Sequence, residues 1–296
     1  MEEVKTNCIL CQGVTYSNLY DSNSCSLIKC SACGLIRMAC LPHEQEKQKI
    51  NESIYSSTDY RDRYFKDKRF LTRSSRSKLK IIERLKPQKG KILDIGCSYG
   101  FFLETAEKRK WDIYGVEINP TSGSYAKNKF GPDHVFVGKL ENSRFEKCSF
   151  DVITLWDVVE HTDNPVVFLE KIKKFLKTDG IICIQSPNID SFIARLKRER
   201  WNWLTPGDHI YYFTPETLAR TVETAGLRVI HSSTWESTRH FIDSLVAFDE
   251  HLSWPFELYR RTIVRVIRTF FFFIFMPFQK LLHTRAKGAL IFLIAK

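Results

Sequence analysis

A chain of 296 residues, 43% of them hydrophobic, can bury a substantial core, which excludes wholesale disorder and suggests one large domain with appendages or two domains. Its formal charge of +11 favours anionic partners such as phosphorylated substrates, nucleic acid or a membrane surface, without choosing among them. The opening residues Met1-Glu2-Glu3-Val4-Lys5 hold no apolar run, so no secretory signal is expected. The nine cysteines are therefore expected in a cytoplasmic, reducing setting, where metal ligation is favoured over disulfides.

The first of the predicted elements is a pair of knuckles. Cys8-Ile9-Leu10-Cys11 and Cys30-Ser31-Ala32-Cys33 are separated by 18 residues. Two C-x2-C turns offer four thiolates, the donor set of a tetrahedral structural zinc site with no open position for catalysis. Gly34 follows where a knuckle needs a permissive backbone, and Cys25 and Cys40 fall outside the spacing. Lys29 is the single basic residue between Cys8 and Cys33, which argues against nucleic-acid binding by this ribbon. Residues 41–70 read as a polar linker whose Tyr55, Tyr60, Tyr64 and Phe65 pack on the main domain, with Ser56-Ser57-Thr58 capping a short helix. Residues 71–86 carry apolar side chains at helical spacing among Arg and Lys, and Pro87 and Gly90 stop that helix. The basic run 73–80 reads as a solvated face.

From Lys91 the pattern alternates. Lys91–Ile95 is a buried strand, and Gly96-Cys97-Ser98-Tyr99-Gly100 is a tight turn into a helix over 101–110. A strand over 111–116 ends at Glu117; a helix over 120–130, a strand over 134–137 and a strand over 150–155 follow. Asn164-Pro165 opens a helix running to Leu176, and Asp179-Gly180 turns into a strand over 181–184. Such alternation predicts an α/β fold, a Rossmann-like parallel sheet covered by helices on both faces, with ligands at the C-terminal strand ends. Glu117 lies 21 residues beyond Gly96, where an acid can accept hydrogen bonds from both hydroxyls of an adenosine ribose. The glycine loop is neither G-x-G-x-x-G nor a phosphate-binding P-loop, and Asp94 beside it would repel a pyrophosphate while suiting a cationic ligand.

Leu93-Asp94-Ile95-Gly96-Cys97-Ser98-Tyr99-Gly100, then Gly115-Val116-Glu117, then Phe150-Asp151 leading to Glu160-His161, resemble motifs I, II and IV of the class I S-adenosylmethionine-dependent methyltransferases. The resemblance covers roughly 75–235 and the last strand, and is strongest to the ubiquinone-biosynthesis O-methyltransferase group, with the zinc ribbon as a recurrent accessory. It implies a seven-stranded sheet whose last strand is antiparallel. It also implies that Asp94, Gly96, Cys97, Ser98 and Gly100 lie against the methionine part of the cofactor. Glu117 would hold the ribose, Ile118 would pack on adenine, Lys139 and Leu140 would approach the adenine edge, and Trp156 would complete the cofactor site. Ser98 departs from the family's usual glycine.

Beyond the cofactor, Trp156-Asp157-Val158-Val159-Glu160-His161 follows the fourth strand of the domain. Similarity to E-x-x-E-H elements implies two alternatives: Asp157, Glu160, His161 and His209 hold Mg²⁺, or His161 or His209 serves as a general base. Residues 190–200 read as a basic helix, and Trp201, Trp203 and Tyr211–Phe213 as either acceptor-pocket walls or core. Thr214-Pro215 caps a helix ended by Gly226; strands over 227–232 and 289–295 complete the domain.

Between those strands, Arg260–Lys287 contains seven Lys or Arg and no acid, and Phe270–Met276 is apolar all round. The uncharged run 269–278 is half the ~20 residues needed to span a bilayer. Two readings remain: a basic amphipathic helix on a membrane surface, or helices covering the sheet or a dimer face. The resulting organisation is a ribbon (1–40), a linker (41–70), a methyltransferase domain (71–235 with 288–296) and a basic Phe-rich insertion (236–287). The expected activity is methyl transfer to a small-molecule, sugar or lipid-linked acceptor. Nucleic-acid methylation and a non-catalytic cofactor-binding module are the alternatives, and a cytoplasmic protein, peripheral on a membrane or not, is the expected setting.

Overall fold

The computed structural model describes residues 7–20, 26–236 and 286–296. Cys25 and most of the expected Phe-rich insertion lie outside the described residues. No helix among the described residues is long and apolar enough to cross a membrane.

Three short antiparallel strands, β1 (Tyr16–Tyr20), β2 (Leu27–Cys30) and β3 (Ile36–Met38), carry the ribbon. Helices α1 (Glu44–Tyr55), α2 (Thr58–Lys66) and α3 (Lys68–Leu85) fill the expected linker and the approach to the main sheet. Ser57 caps α2 by accepting from the Tyr60 amide. The aromatics of α2 then grip the glycine turn: the Tyr64 ring lies 4.9 Å from Phe101, and Phe65 lies 5.3 Å from Tyr99.

The Rossmann-like domain continues as β4 (Lys91–Ile95), α4 (Phe101–Lys108), β5 (Asp112–Glu117), α5 (Pro120–Phe130), β6 (Val135–Val137), β7 (Phe150–Trp156), α6 (Pro165–Lys173), β8 (Leu176–Pro187), α7 (Phe192–Lys197), β9 (Tyr211–Tyr212), α8 (Pro215–Thr224), β10 (Val229–Trp235) and β11 (Leu290–Ala295). One sheet has the order β10-β11-β8-β7-β4-β5-β6. Its strands are parallel except β11, which runs antiparallel between β10 and β8. The apolar runs of β4, β7 and β11 are buried on both faces, which is why they read as continuous rather than alternating. Asn119, Asn164 and Thr214 each cap a helix with proline at its first turn.

Several boundaries differ from the sequence expectation. Helix α6 ends at Lys173, because the Phe175 carbonyl accepts from the Ser149 and Phe150 amides and draws Leu176 into β8 opposite Phe150. Asp179-Gly180 is therefore inside a strand. Helix α7 is shorter than the basic helix expected over 190–200, since Arg198 takes φ +51° and breaks it.

The ribbon is joined to the catalytic fold by main-chain pairing. Strand β3 pairs with β9, opposing Ile36 to Tyr212 and Arg37 to Tyr211, so the second sheet has the order β1-β2-β3-β9. Cys8, Cys30, Cys33 and Leu35 belong to the same hydrophobic cluster as Leu155, Val159, Ile210 and Phe213.

Gly115 marks the closest approach of α4 to the sheet. A methyl group there would stand 2.8 Å from Leu103 Cδ1 and 2.9 Å from Cys97 Sγ. Gly115→Ala should lower unfolding free energy by about 1–3 kcal/mol through overpacking, read as a reduced denaturant midpoint. An unchanged midpoint would mean that α4 can move outward at little cost.

Candidate active site

The site is built at the C-terminal ends of β4, β5 and β7. Strand β4 delivers Asp94, fully buried, whose Oδ1 accepts from the Thr154 hydroxyl of β7 at 2.6 Å. Burial raises the Asp94 carboxyl to about 7, with the Glu117 charge adding to that shift and Thr154 and Lys78 opposing it. The chain then turns through left-handed Gly96 (φ +75°), Ser98 (φ +48°) and Gly100 (φ +74°). Methyl groups at Gly96 or Gly100 would strike Val158 at 2.6 Å or the Phe130 ring at 2.5 Å. Ser98 accepts a conformation costing roughly 1–2 kcal/mol for a residue with a Cβ. Its amide donates to Glu117 Oε2 at 2.7 Å.

Glu117, buried at the end of β5, also accepts from the Asn119 amide at 2.8 Å through Oε1. Burial raises its pKa while the Asn119 and Ser98 amides pull the other way. Ile118 is 54% exposed beside it, although it is a large aliphatic side chain. Asp94, Gly96, Cys97, Ser98, Glu117, Ile118, Trp156, His161 and His209 face one cavity of about 750 Å³. Gly100 starts α4 just outside it. Lys139 and Leu140 do not line it: Leu140 is buried in the core at a short turn after β6, and Lys139 is exposed.

The opposite wall gathers a histidine cluster. Glu160 is buried; its Oε2 accepts from the Ser186 hydroxyl at 3.0 Å, and its Oε1 has no hydrogen-bond partner among the described residues. His161 Nδ1 donates to the Asp208 carbonyl at 2.8 Å and lies 3.2 Å from the Asp208 carboxylate. Tyr55, from α1, donates its hydroxyl to both oxygens of that carboxylate at 3.2 Å. His209 Nδ1 donates to the Trp203 carbonyl at 3.0 Å, and the two imidazoles meet edge to face at 4.7 Å. With each Nδ1 donating, Nε2 carries the free lone pair in whichever ring is neutral. Burial and the neighbouring His161 push His209 down to about 3. Burial opposes protonation of His161, but Asp208 and Glu160 outweigh it and move its pKa up. Burial moves Glu160 up as well.

Asp157 does not join this cluster. It takes φ +56°, and its carboxylate accepts from Gln185 Nε2 at 3.1 and 2.9 Å. Glu160, His161 and His209 alone bring ligand atoms within 4.8 Å of one another, so the expected four-residue Mg²⁺ set is not assembled. Trp201, Tyr211, Tyr212 and Phe213 are core, whereas Trp203 reaches the cavity.

Three contributors were not expected from the sequence. Lys78 is on the basic run read as a solvated face, yet its ammonium lies 4.0 Å from the Trp156 ring centroid inside the cavity. Burial pulls its pKa down to about 8, opposed by Asp157 and Asp94. Its i, i+4 neighbours Ser74 and Ile82 lie on the inward side of α3, and that spacing was the available signal. Tyr55 and Asp208 meet only through tertiary structure, 153 residues apart in the chain.

In the ribbon, Cys8, Cys11, Cys30 and Cys33 place their sulfurs within 4.8 Å of one another, with Cys8–Cys33 at 3.4 Å and Cys11–Cys30 at 3.5 Å. Tetrahedral zinc thiolates have S···S edges of ~3.8 Å. The Leu10 and Cys11 amides serve Cys8, and the Cys33 and Ala32 amides serve Cys30. Burial opposes ionisation of Cys30, but those amides and the neighbouring thiols bring it to about 7. The cluster fits a zinc ribbon.

A sequence model of the family described as a methyltransferase domain matches residues 66–232. Ubiquinone biosynthesis O-methyltransferase of Cereibacter sphaeroides is 25% identical over 147 residues, 46% of this chain and 60% of that protein. The mitochondrial ubiquinone biosynthesis O-methyltransferase of Schizosaccharomyces pombe is 29% identical over 131 residues, 42% of this chain and 46% of that protein. The chain thus spans about half the length of the curated relatives it matches. A SAM-dependent methyltransferase from Archaeoglobus fulgidus superposes with a TM-score of 0.52 at 20% identity, over 84% of this chain and 98% of that one. The 1,6-didemethyltoxoflavin-N1-methyltransferase of Burkholderia thailandensis gives 0.50 at 15% identity, over 73% and 90%. The likeness to these two structures is one of fold, the class I S-adenosylmethionine-dependent methyltransferase fold.

The raised Asp94 carboxyl makes stability pH-dependent. Between the ordinary aspartate value near 4 and about 7, the fold keeps a proton that the unfolded chain releases, so stability falls as pH rises through that window. Asp94→Asn removes this contribution. Its unfolding free energy relative to the native protein should rise by about 1–3 kcal/mol between pH 4 and pH 7.5. Denaturation without cofactor at both pH values checks it; a pH-independent difference contradicts the assignment.

Proposed function

This chain belongs to the methyltransferase-domain family, and we propose that it transfers the methyl group of S-adenosylmethionine to a hydroxyl of a small-molecule, sugar or lipid-linked acceptor. The carrying observation is that one cavity has a paired-acid cofactor wall, Asp94 and Glu117, facing a histidine wall, His161 and His209. When bound, the cofactor supplies an electrophilic methyl group on a sulfonium. The residues suit it. Glu117 accepts two amide hydrogens and, with about four lone-pair positions on a carboxylate, retains capacity for two ribose hydroxyls. Buried Asp94 favours a cationic ligand, and exposed Ile118 offers an apolar face to a base. The likeness to ubiquinone biosynthesis O-methyltransferases favours oxygen as the accepting atom.

On the acceptor side, the Nε2 of His161 takes the hydroxyl proton when its ring is neutral, a form that the raised pKa of about 9 makes the minor one at neutral pH. Asp208 fixes the ring through Nδ1 and stabilises the imidazolium that forms. Cavity walls that hold donor and acceptor together supply the remaining rate enhancement through orientation.

A second reading is favoured by the unpartnered Glu160 Oε1 between two imidazoles whose Nδ1 atoms are already held. That donor set suits a divalent cation, which would orient and acidify the acceptor hydroxyl.

Two measurements separate these readings. Glu117→Ala should weaken S-adenosylmethionine binding by at least about tenfold in calorimetry, as expected for lost charge-assisted hydrogen bonds. Tritiated-methyl transfer into fractionated cell extract should label the small-molecule or lipid pool. Label in RNA would favour the nucleic-acid alternative, and cofactor binding without label the non-catalytic one. Transfer abolished by EDTA and restored by Mg²⁺ or Mn²⁺ would select the cation; full transfer in EDTA leaves His161 as the base.

A further inference from the structure

We propose that ribbon strand β3 is a positioning element of the acceptor wall, so that metal on the four cysteines sets the order of loop 203–213 without setting cofactor affinity. The inference rests on the reading that this loop faces the acceptor.

The two walls of the cavity are supported differently. Asp94 and Glu117 sit at the ends of β4 and β5, neighbours inside the seven-stranded sheet, in which no ribbon strand is paired. Asp208 and His209 sit on a loop that ends in β9, a strand of two residues with no place in that sheet. Its sheet partner is β3 of the ribbon. Beyond the Ile36–Tyr212 and Arg37–Tyr211 pairs, the Met38 amide donates to the Ile210 carbonyl at 2.9 Å. The Gly207 amide, one residue before Asp208, donates to Met38 Sδ at 3.1 Å. On its other side the loop meets the catalytic turn, where the Ile210 amide donates to the Glu160 carbonyl at 2.9 Å. Loop 203–213 is therefore clamped between the Glu160 turn and the ribbon.

The ribbon half of the clamp depends on the cysteines. Strand β3 has three residues and begins three residues after Cys33. It is held to β2, whose last residue is Cys30. Strands this short are not stable alone, and bringing Cys8 and Cys11 against Cys30 and Cys33 is the ribbon's cross-link. Relaxing the cysteine cluster thus releases β3, and with it the Met38 amide and sulfur that hold Ile210 and Gly207. His209 and Asp208 lie between those two points. The expected consequence falls on turnover, through the placement of His161 and His209, and leaves the Asp94–Glu117 wall intact.

The test uses the full chain, loaded with Zn²⁺ and after chelation, with metal content measured by a chromogenic dye. Hydrogen exchange followed by mass spectrometry compares peptides covering 203–213 and 91–117. Metal removal should speed exchange in 203–213 by at least about tenfold and leave 91–117 and the S-adenosylmethionine dissociation constant within about twofold. Equal protection of 203–213 in both forms overturns the proposal, as does a parallel loss of cofactor affinity. Should chelation raise exchange along the whole chain, Met38→Ala decides, since it keeps all four cysteines. That variant should bind one Zn²⁺ and still show faster exchange in 203–213; native-like exchange there overturns the proposal. Where methyl transfer is measurable, kcat should fall with KM for the cofactor unchanged. Absence of methyl transfer in every form would count against the functional reading alone, because the exchange result does not depend on an acceptor.

Discussion

The structure depends on a turn that must end a buried strand and begin a helix within five residues. Gly96, Ser98 and Gly100 all take left-handed backbone there, and two of the three have a side chain within 2.6 Å of where a Cβ would sit. Such a turn leaves amides pointing inward, and Glu117 accepts the one from Ser98. One carboxylate therefore holds the turn to the end of β5, and its remaining lone pairs face the cavity. The same interaction makes the fold and makes the cofactor wall, so neither can be altered alone.

The electrostatics follow from that wall. Asp94 and Glu117 are both buried, both have raised pKa values, and both favour a positive charge arriving in the cavity. Lys78 meets part of that demand from α3, held over Trp156 and drawn toward Asp94 and Asp157 while burial lowers its pKa. Asp94, Glu117, Asp157 and Asp208 line the same cavity as Lys78 and can offset the positive charge gathered there. The histidine wall follows the same logic in reverse. Asp208 favours the charged form of His161, and His161 in turn keeps His209 neutral.

Much of the main sheet was legible because local and tertiary demands agree. Residues 92–95 are buried because they are apolar and central; Asn119-Pro120, Asn164-Pro165 and Thr214-Pro215 start helices because cap and proline chemistry leave little choice. The cofactor wall was legible for the same reason, since turn and acid lie on adjacent strands of one local unit. Lys139 and Leu140 missed the cavity because a short turn after β6 sends Leu140 into the core. Lys78 was hidden because one inward lysine in a helix rich in outward ones has no distinctive pattern. Asp208 and Tyr55 were hidden because their partnership crosses 153 residues of chain, which spacing cannot report.

That last failure bears on how the acceptor wall is made. Apart from Glu160, held by Ser186 of β8, its polar groups are not placed by the seven-stranded sheet alone. Glu160 and His161 follow β7 but are held by Ser186 and Asp208; Asp208 is held by Tyr55; His209 is held by Trp203; and their loop is held by Met38. The 203–213 loop carries Asp208 and His209, helix α1 reaches the Asp208 carboxylate through Tyr55, and the ribbon holds the loop through Met38. Asp94 and Glu117 sit on the sheet and beside its first turn, with the α2 aromatics packed on that turn. The groups that orient His161 and His209, by contrast, come largely from outside the sheet. Tyr55 and Met38 thus help shape this cavity from N-terminal segments outside the seven-stranded sheet.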